Sequence, residues 1–99
     1  MINLSDNKLN NIIMLTKEIF QYLCKTNFKY FEGNFYSDSI KIDFSTGHNG
    51  RGDILEITQY YEDNKIDLIY FQRDVESKIL KDLEINDVLL FLKEKIPQI

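Results

Sequence analysis

One histidine and one cysteine stand among 99 residues, which is too few for the converging ligands and bases of a zinc site or a metal-assisted hydrolase. His48, Arg51 and Asp53 fall together in the run Thr46-Gly47-His48-Asn49-Gly50-Arg51-Gly52-Asp53. A base, a cation and an acid on one segment are the residue types that phosphodiester cleavage uses. The simpler reading is a solvated connection, in which glycine permits the turn and charge keeps it wet. On that reading no catalytic residue, metal or cofactor is assigned. The run is not a phosphate loop, because no Lys-Ser or Lys-Thr follows its glycines and strand-like sequence comes next. Arg51-Gly52-Asp53 matches the cell-adhesion triplet of extracellular proteins, a coincidence in a chain whose start, Met1 to Asp6, shows no secretory pattern. Cys24 cannot form an internal disulfide, and its place on the flank of a helical apolar stripe reads as a buried structural thiol. Cytoplasmic residence is the expectation.

A less bland constellation is carried by strands. Ile40, Ile42 and Phe44 alternate with Lys41, Asp43 and Ser45, the period of a strand with one buried face. If the first three face the core, then Asp43, Glu56, Tyr60, Asp67, Ile69 and Phe71 fall on or near the opposite face, depending on register. A wholly solvated face has no need of Tyr, Ile and Phe. Aromatic anchors among carboxylates suit a protein-binding surface, since buried aromatics supply affinity and complementary charge speeds encounter. Asp43, Glu56, Tyr60, Asp67 and Phe71 are the candidate contacts. The aromatic cluster Phe28, Tyr30, Phe31, Phe35 and Tyr36 lacks the interleaved basic residues of a base-stacking surface and reads as core.

Charge points the same way. Acids outnumber bases 16 to 12, net charge −4, which opposes direct binding to a phosphate backbone and attracts basic partners. The acids are dense after the glycine run, from Asp53 to Asp87. No apolar stretch approaches the eighteen or so residues of a membrane helix.

The elements that must position these residues follow from periodicity. Leu9, Ile12, Ile13, Ile19, Phe20 and Leu23 predict an amphipathic helix from Asp6 to Lys25, ended by Lys25-Thr26-Asn27. Strands are predicted at Phe28–Glu32 and Phe35–Ser45 around a Gly33-Asn34 turn, then at Ile54–Tyr61 and Ile66–Arg73 around Glu62-Asp63-Asn64-Lys65. Val75, Ile79 and Leu83 fit both a period of two and one near four, so Val75–Leu83 is open between strand and helix, with a short fifth strand the preferred reading. Asn86 reads as the N-cap of a closing helix, Val88–Ile96, stapled by Ile85 and Leu90 and stopped by Pro97.

Residues 1–99 thus predict a single α+β domain: an N-terminal helix, an antiparallel meander of four to five strands and a C-terminal helix, with both helices on one face. In general character a short, acidic, Ile-, Asn- and Lys-rich domain of this kind is similar to the bacterial immunity proteins that neutralise toxins. The resemblance implies a non-enzymatic antitoxin that occludes the active site of a basic, nuclease-type toxin domain, with no membrane or nucleic-acid partner. Two alternatives are a small acidic secretion chaperone, which holds a client in extended form, and a hydrolase built on the glycine run. The sequence leaves the oligomeric state open.

Overall fold

Alternation of buried and outward residues along Ile40, Ile42 and Phe44 builds the middle of a five-stranded sheet. A computed structural model describes residues 17–73, 75 and 77–99. Its strands are β1 (Tyr30–Phe35), β2 (Ser39–Gly47), β3 (Arg51–Tyr60), β4 (Ile66–Phe71) and β5 (Lys78–Leu83), flanked by helix α1 at residues 17–23 and helix α2 at Ile85–Lys95. Strand order is β1-β2-β3-β4-β5 and every neighbouring pair is antiparallel. The expected α+β meander is therefore present. No helix among the described residues is long and apolar enough to cross a membrane.

Register brings Phe44 opposite Leu55, and Leu55 opposite Tyr70. These residues share one face, since residues directly opposite in a sheet point the same way. All three are buried, together with Ile57, Ile66 and Leu68. Phe20 of α1 meets Phe44 edge-on at 5.1 Å, and Phe91 of α2 meets Tyr70 edge-on at 5.8 Å. Both helices thus pack on this inner face. The Tyr22 hydroxyl donates to the Ile96 carbonyl at 2.8 Å, and the Ile99 amide donates to the Lys25 carbonyl at 2.8 Å, tying α1 to the end of α2. Each fully buried Leu or Phe contributes about 1.5–3 kcal/mol, so the interlock of Phe44, Leu55, Leu68, Val88 and Leu92 dominates the energetics.

Local chemistry moves several boundaries from their expected places. The described part of α1 ends at residue 23, two residues before Lys25, and residues 6–16 of the expected helix lie outside the described residues. Asn27 does not adopt the left-handed conformation. Thr26 ends the helix instead: its hydroxyl donates to the Leu23 carbonyl at 2.7 Å and accepts from the Phe28 amide at 3.1 Å. Cys24, expected to be buried, is exposed in this turn. Its thiol donates to the Gln21 carbonyl.

The first hairpin turns at Ser37-Asp38, where the Tyr36 amide donates to the Ser39 carbonyl at 2.8 Å, and β1 runs straight through Gly33-Asn34. The expected glycine loop is mostly strand. Only His48–Gly50 leaves the ladder, as a 3₁₀ turn with Asn49 at φ 57°, beside a β-bulge between Ser45 and Gly47. Gly52 has φ 81°, and a Cβ there would run into Thr46 Oγ1, which accepts from the Asp53 amide at 3.0 Å. Gly52→Ala is therefore expected to cost about 1–3 kcal/mol through backbone strain and this clash. Urea unfolding checks it, and an unchanged midpoint would refute the strained hairpin.

β4 stops at Phe71 rather than Arg73. β5 starts at Lys78 rather than Val75, and Asp74 and Glu76 lie outside the described residues. Helix α2 starts at Ile85 with Glu84, not Asn86, as N-cap; the Glu84 amide donates to the Asp87 carboxylate at 3.1 Å. Leu90 is 65% exposed and does not staple the entry.

Candidate functional site

The face of the sheet opposite the helices is built by register alone. One row across all five strands reads Glu32, Asp43, Glu56, Ile69, Ile79. Beside it run Asn34, Lys41, Thr58, Asp67 on one side and Tyr30, Ser45, Ile54, Phe71 on the other, while Tyr60 stands opposite Ser39. All five candidate contacts, Asp43, Glu56, Tyr60, Asp67 and Phe71, fall on this face. Asp43 and Glu56 are cross-strand neighbours, Tyr60 and Asp67 are bonded to each other, and Phe71 stands opposite Ile54 at the far end. Within these rows of β1 to β4 the charged residues are Glu32, Asp43, Glu56 and Asp67 against Lys41, a net −3.

The carboxylates are not equivalent. Lys41 Nζ pairs with Glu56 Oε1 at 3.1 Å. Glu56 and this hydrogen bond raise the Lys41 pKa, keeping it protonated. The Tyr60 hydroxyl donates to Asp67 Oδ2 at 2.9 Å, and the other oxygen of Asp67 accepts from the Asp82 amide at 3.1 Å. Asp82 has φ 56°, so Asp67 both fixes the Tyr60 ring and braces the irregular turn of β5. That hydrogen bond is also the largest cause holding the Tyr60 phenol above its usual pKa.

Asp43 is different in kind. It is half-buried, its Oδ1 is shut off from solvent, and that atom has no hydrogen-bond partner among the described residues. Burial pushes its carboxyl up, Glu56 and Glu32 push it further, and Lys41 opposes them. An enclosed acceptor without a donor destabilises a fold by about 1–3 kcal/mol. With the folded value raised, the unfolded chain gives up the proton first. Stability is then fully present below the ordinary aspartate value and is lost as pH rises through the raised folded value. Asp43→Asn, which removes the charge, is expected to raise Tm at neutral pH by a few degrees, on the order of half a kcal/mol after screening at a partly exposed site. The gain should vanish at about pH 3, where both forms are uncharged. Thermal melts at the two pH values check this, and a lower Tm at neutral pH would show that the Asp43 charge is not a burden.

His48, Arg51 and Asp53 surround the bulged hairpin at one end of the sheet. His48 Nε2 lies 3.0 Å from the Tyr30 hydroxyl, with ring centroids 4.1 Å apart. Asp53 Oδ1 accepts from the Arg73 amide at 3.0 Å, which ties the hairpin to the end of β4, and Arg51 is exposed. Among the described residues no three His, Cys, Asp or Glu side chains form a group that could hold a metal ion. A cavity of about 10 Å³ lies under α1, lined by Ile19, Ile40, Ile42, Phe44, Ile57 and Gln59, room for one water at most.

Sequence reasoning missed Glu32, Ile54 and Ile79 as members of the face. Placing the first turn at Ser37-Asp38, a pair with good turn chemistry, would have put Glu32 opposite Asp43. The expected aromatic core divides: Phe28 is buried, whereas Phe31, Phe35 and Tyr36 are 62%, 77% and 47% exposed, because β1 is an edge strand. No family model, curated protein or solved structure matches the chain.

Proposed function

We propose that this chain is a non-enzymatic inhibitor, an immunity protein that acts in the cytoplasm by docking its open sheet face over the active site of a basic, nuclease-type toxin domain. The observation that carries the reading is Asp43, a carboxylate between Glu32 and Glu56 with an enclosed oxygen that has no hydrogen-bond donor among the described residues. A local feature that destabilises the free fold and carries no evident packing benefit is expected at functional sites. A lysine or arginine from a partner would supply the missing donor and relieve the repulsion among the three acids. Nucleases present such cations because they must bind phosphates.

The apolar part of the face supplies the rest. Ile54, Ile69 and Phe71 stand beside the acids on the same face, apolar side chains able to exclude water around the charged contacts. Docking over this face would cover on the order of 800 Å² of the chain, one side of an ordinary stable interface. Inhibition is then steric, with electrostatic steering of the encounter.

The test is functional. A basic protein captured by this chain is expected to arrest growth when expressed alone in a bacterial host and to be harmless when this chain is co-expressed. Equal toxicity in both cultures would overturn the inhibitor reading.

A further inference from the structure

The two edges of the sheet are built differently. β5 is irregular: its register shifts between Leu80 and Leu83, Asp82 has positive φ, and Lys78, Lys81 and Asp82 line its length. Bulges and charges of this kind are how proteins stop a sheet edge from pairing with another chain. β1 has no bulge and only one charge. It pairs with β2 without a register shift, has Glu32 as its one charged residue, and exposes Phe31 and Phe35 on the helix side of the sheet.

The phase of the ladder shows which backbone groups are free to pair. Tyr36 and Ser39 are a hydrogen-bonded pair, and the same register runs through Asn34 with Lys41, Glu32 with Asp43 and Tyr30 with Ser45. Hydrogen-bonded pairs alternate with non-bonded ones in an antiparallel ladder, so the backbone groups of Phe31, Gly33 and Phe35 point away from β2. Three outward residues spaced symmetrically about Gly33 are self-complementary under a two-fold axis.

We propose that β1 is a homodimer edge, pairing antiparallel with β1 of a second copy, Gly33 against Gly33, to make a continuous ten-stranded sheet. In this register Phe31 of each copy lies opposite Phe35 of the other on the helix side, and Glu32 lies opposite Asn34 on the open side. No like charges face one another. Beyond the strand ends, Lys29 of one copy approaches Ser37 and Asp38 of the other, so opposite charges meet at both ends. Four largely exposed phenylalanine rings gain cross-strand neighbours. The two-fold axis runs along the sheet normal, which puts both acidic faces on the same side of the dimer as one double-width surface. Dimerisation rests on the β1 edge and not on the toxin-binding reading.

The test is sedimentation velocity of the full chain from micromolar to millimolar concentration, with amide hydrogen exchange at both ends of the range. A shift from one chain to two is expected, accompanied by slowed exchange at Phe31, Gly33 and Phe35 and none at the β5 amides. Gly33→Pro removes the central outward donor and leaves the β1–β2 ladder intact, a tolerated use of proline on an edge, and a Cβ there has its nearest neighbour, Ile42 Cγ1, at 4.0 Å. It is expected to remain one chain throughout with far-UV circular dichroism unchanged. Phe35→Lys, at a position exposed in the single chain, serves as the second variant and should also stay monomeric. A wild-type chain that sediments as one copy at every concentration, a dimer that persists in both variants, or concentration-dependent protection at β5 overturns the assignment.

Discussion

Phe44→Ala is expected to lower the free energy of unfolding by about 3–5 kcal/mol and Tm by more than about 10 °C for a domain of this size. Phe44 is 1% exposed and lies where three elements meet: Phe20 of α1 packs edge-on at 5.1 Å, Phe31 of β1 lies 6.3 Å away, and Leu55 of β3 stands opposite. Truncation removes the ring's transfer free energy and enlarges the small void that Phe44 already lines. The surrounding strands cannot collapse to fill it, because the ladders on both sides of β2 fix their spacing. Since domains are stable by only about 5–15 kcal/mol, the variant should be partly unfolded near body temperature. Urea denaturation with unchanged m-value checks it. A loss below about 1 kcal/mol would mean that α1 does not pack against β2 as described.

Charge reversal at two positions of the open face, Asp43→Lys with Glu56→Lys, is expected to weaken binding to the basic partner by at least about 2 kcal/mol, or about 30-fold in Kd. Most of the change in association rate should disappear at high salt, where long-range steering is screened. Both positions are half-exposed, and lysine at 43 stands beside Glu32, so the fold should survive. Thermal melts verify that separately. Glu94→Lys on α2, on the helix side of the sheet and with its side chain 72% exposed, is the control and should leave affinity unchanged. Equal losses from all three substitutions would indicate a general charge effect rather than a docking face.

The middle of this fold is legible in the sequence for a physical reason. Ser39 to Gly47 buries one face only, so Ile40, Ile42 and Phe44 alternate cleanly with Lys41 and Asp43, and the outward parity of Asp43 follows directly. The turn at Tyr61 to Lys65 is legible too, because Asn64 takes the positive φ its chemistry favours, at 58°. Gly33-Asn34 shows the opposite case. Its local preference for a turn yields to tertiary packing, since only a turn at Ser37-Asp38 brings Phe31 alongside Phe44 and under Phe20.

Edge position is harder to read than strand identity. Nothing local to Phe31, Phe35 and Tyr36 distinguishes a central strand from an outer one, so their exposure emerges only from strand order. Cys24 follows the same logic in miniature. Its side of the helix mattered less than the Thr26 hydroxyl, which ends the helix one residue before it. The Asp43 oxygen without a donor among the described residues belongs to this class as well, because its burial and the charges of Glu32, Lys41 and Glu56 around it depend on how three strands are brought together.

The most direct test of the docking face is a paired capture experiment. Tagged wild-type chain and the Asp43→Lys, Glu56→Lys variant are exposed to the same extract of the source cells at about 0.15 M salt, and retained proteins are identified by mass spectrometry. A basic polypeptide held in stoichiometric amount by the wild type and absent from the variant is the expected result. The same proteins retained on both, or an acidic partner on the wild type, would contradict it.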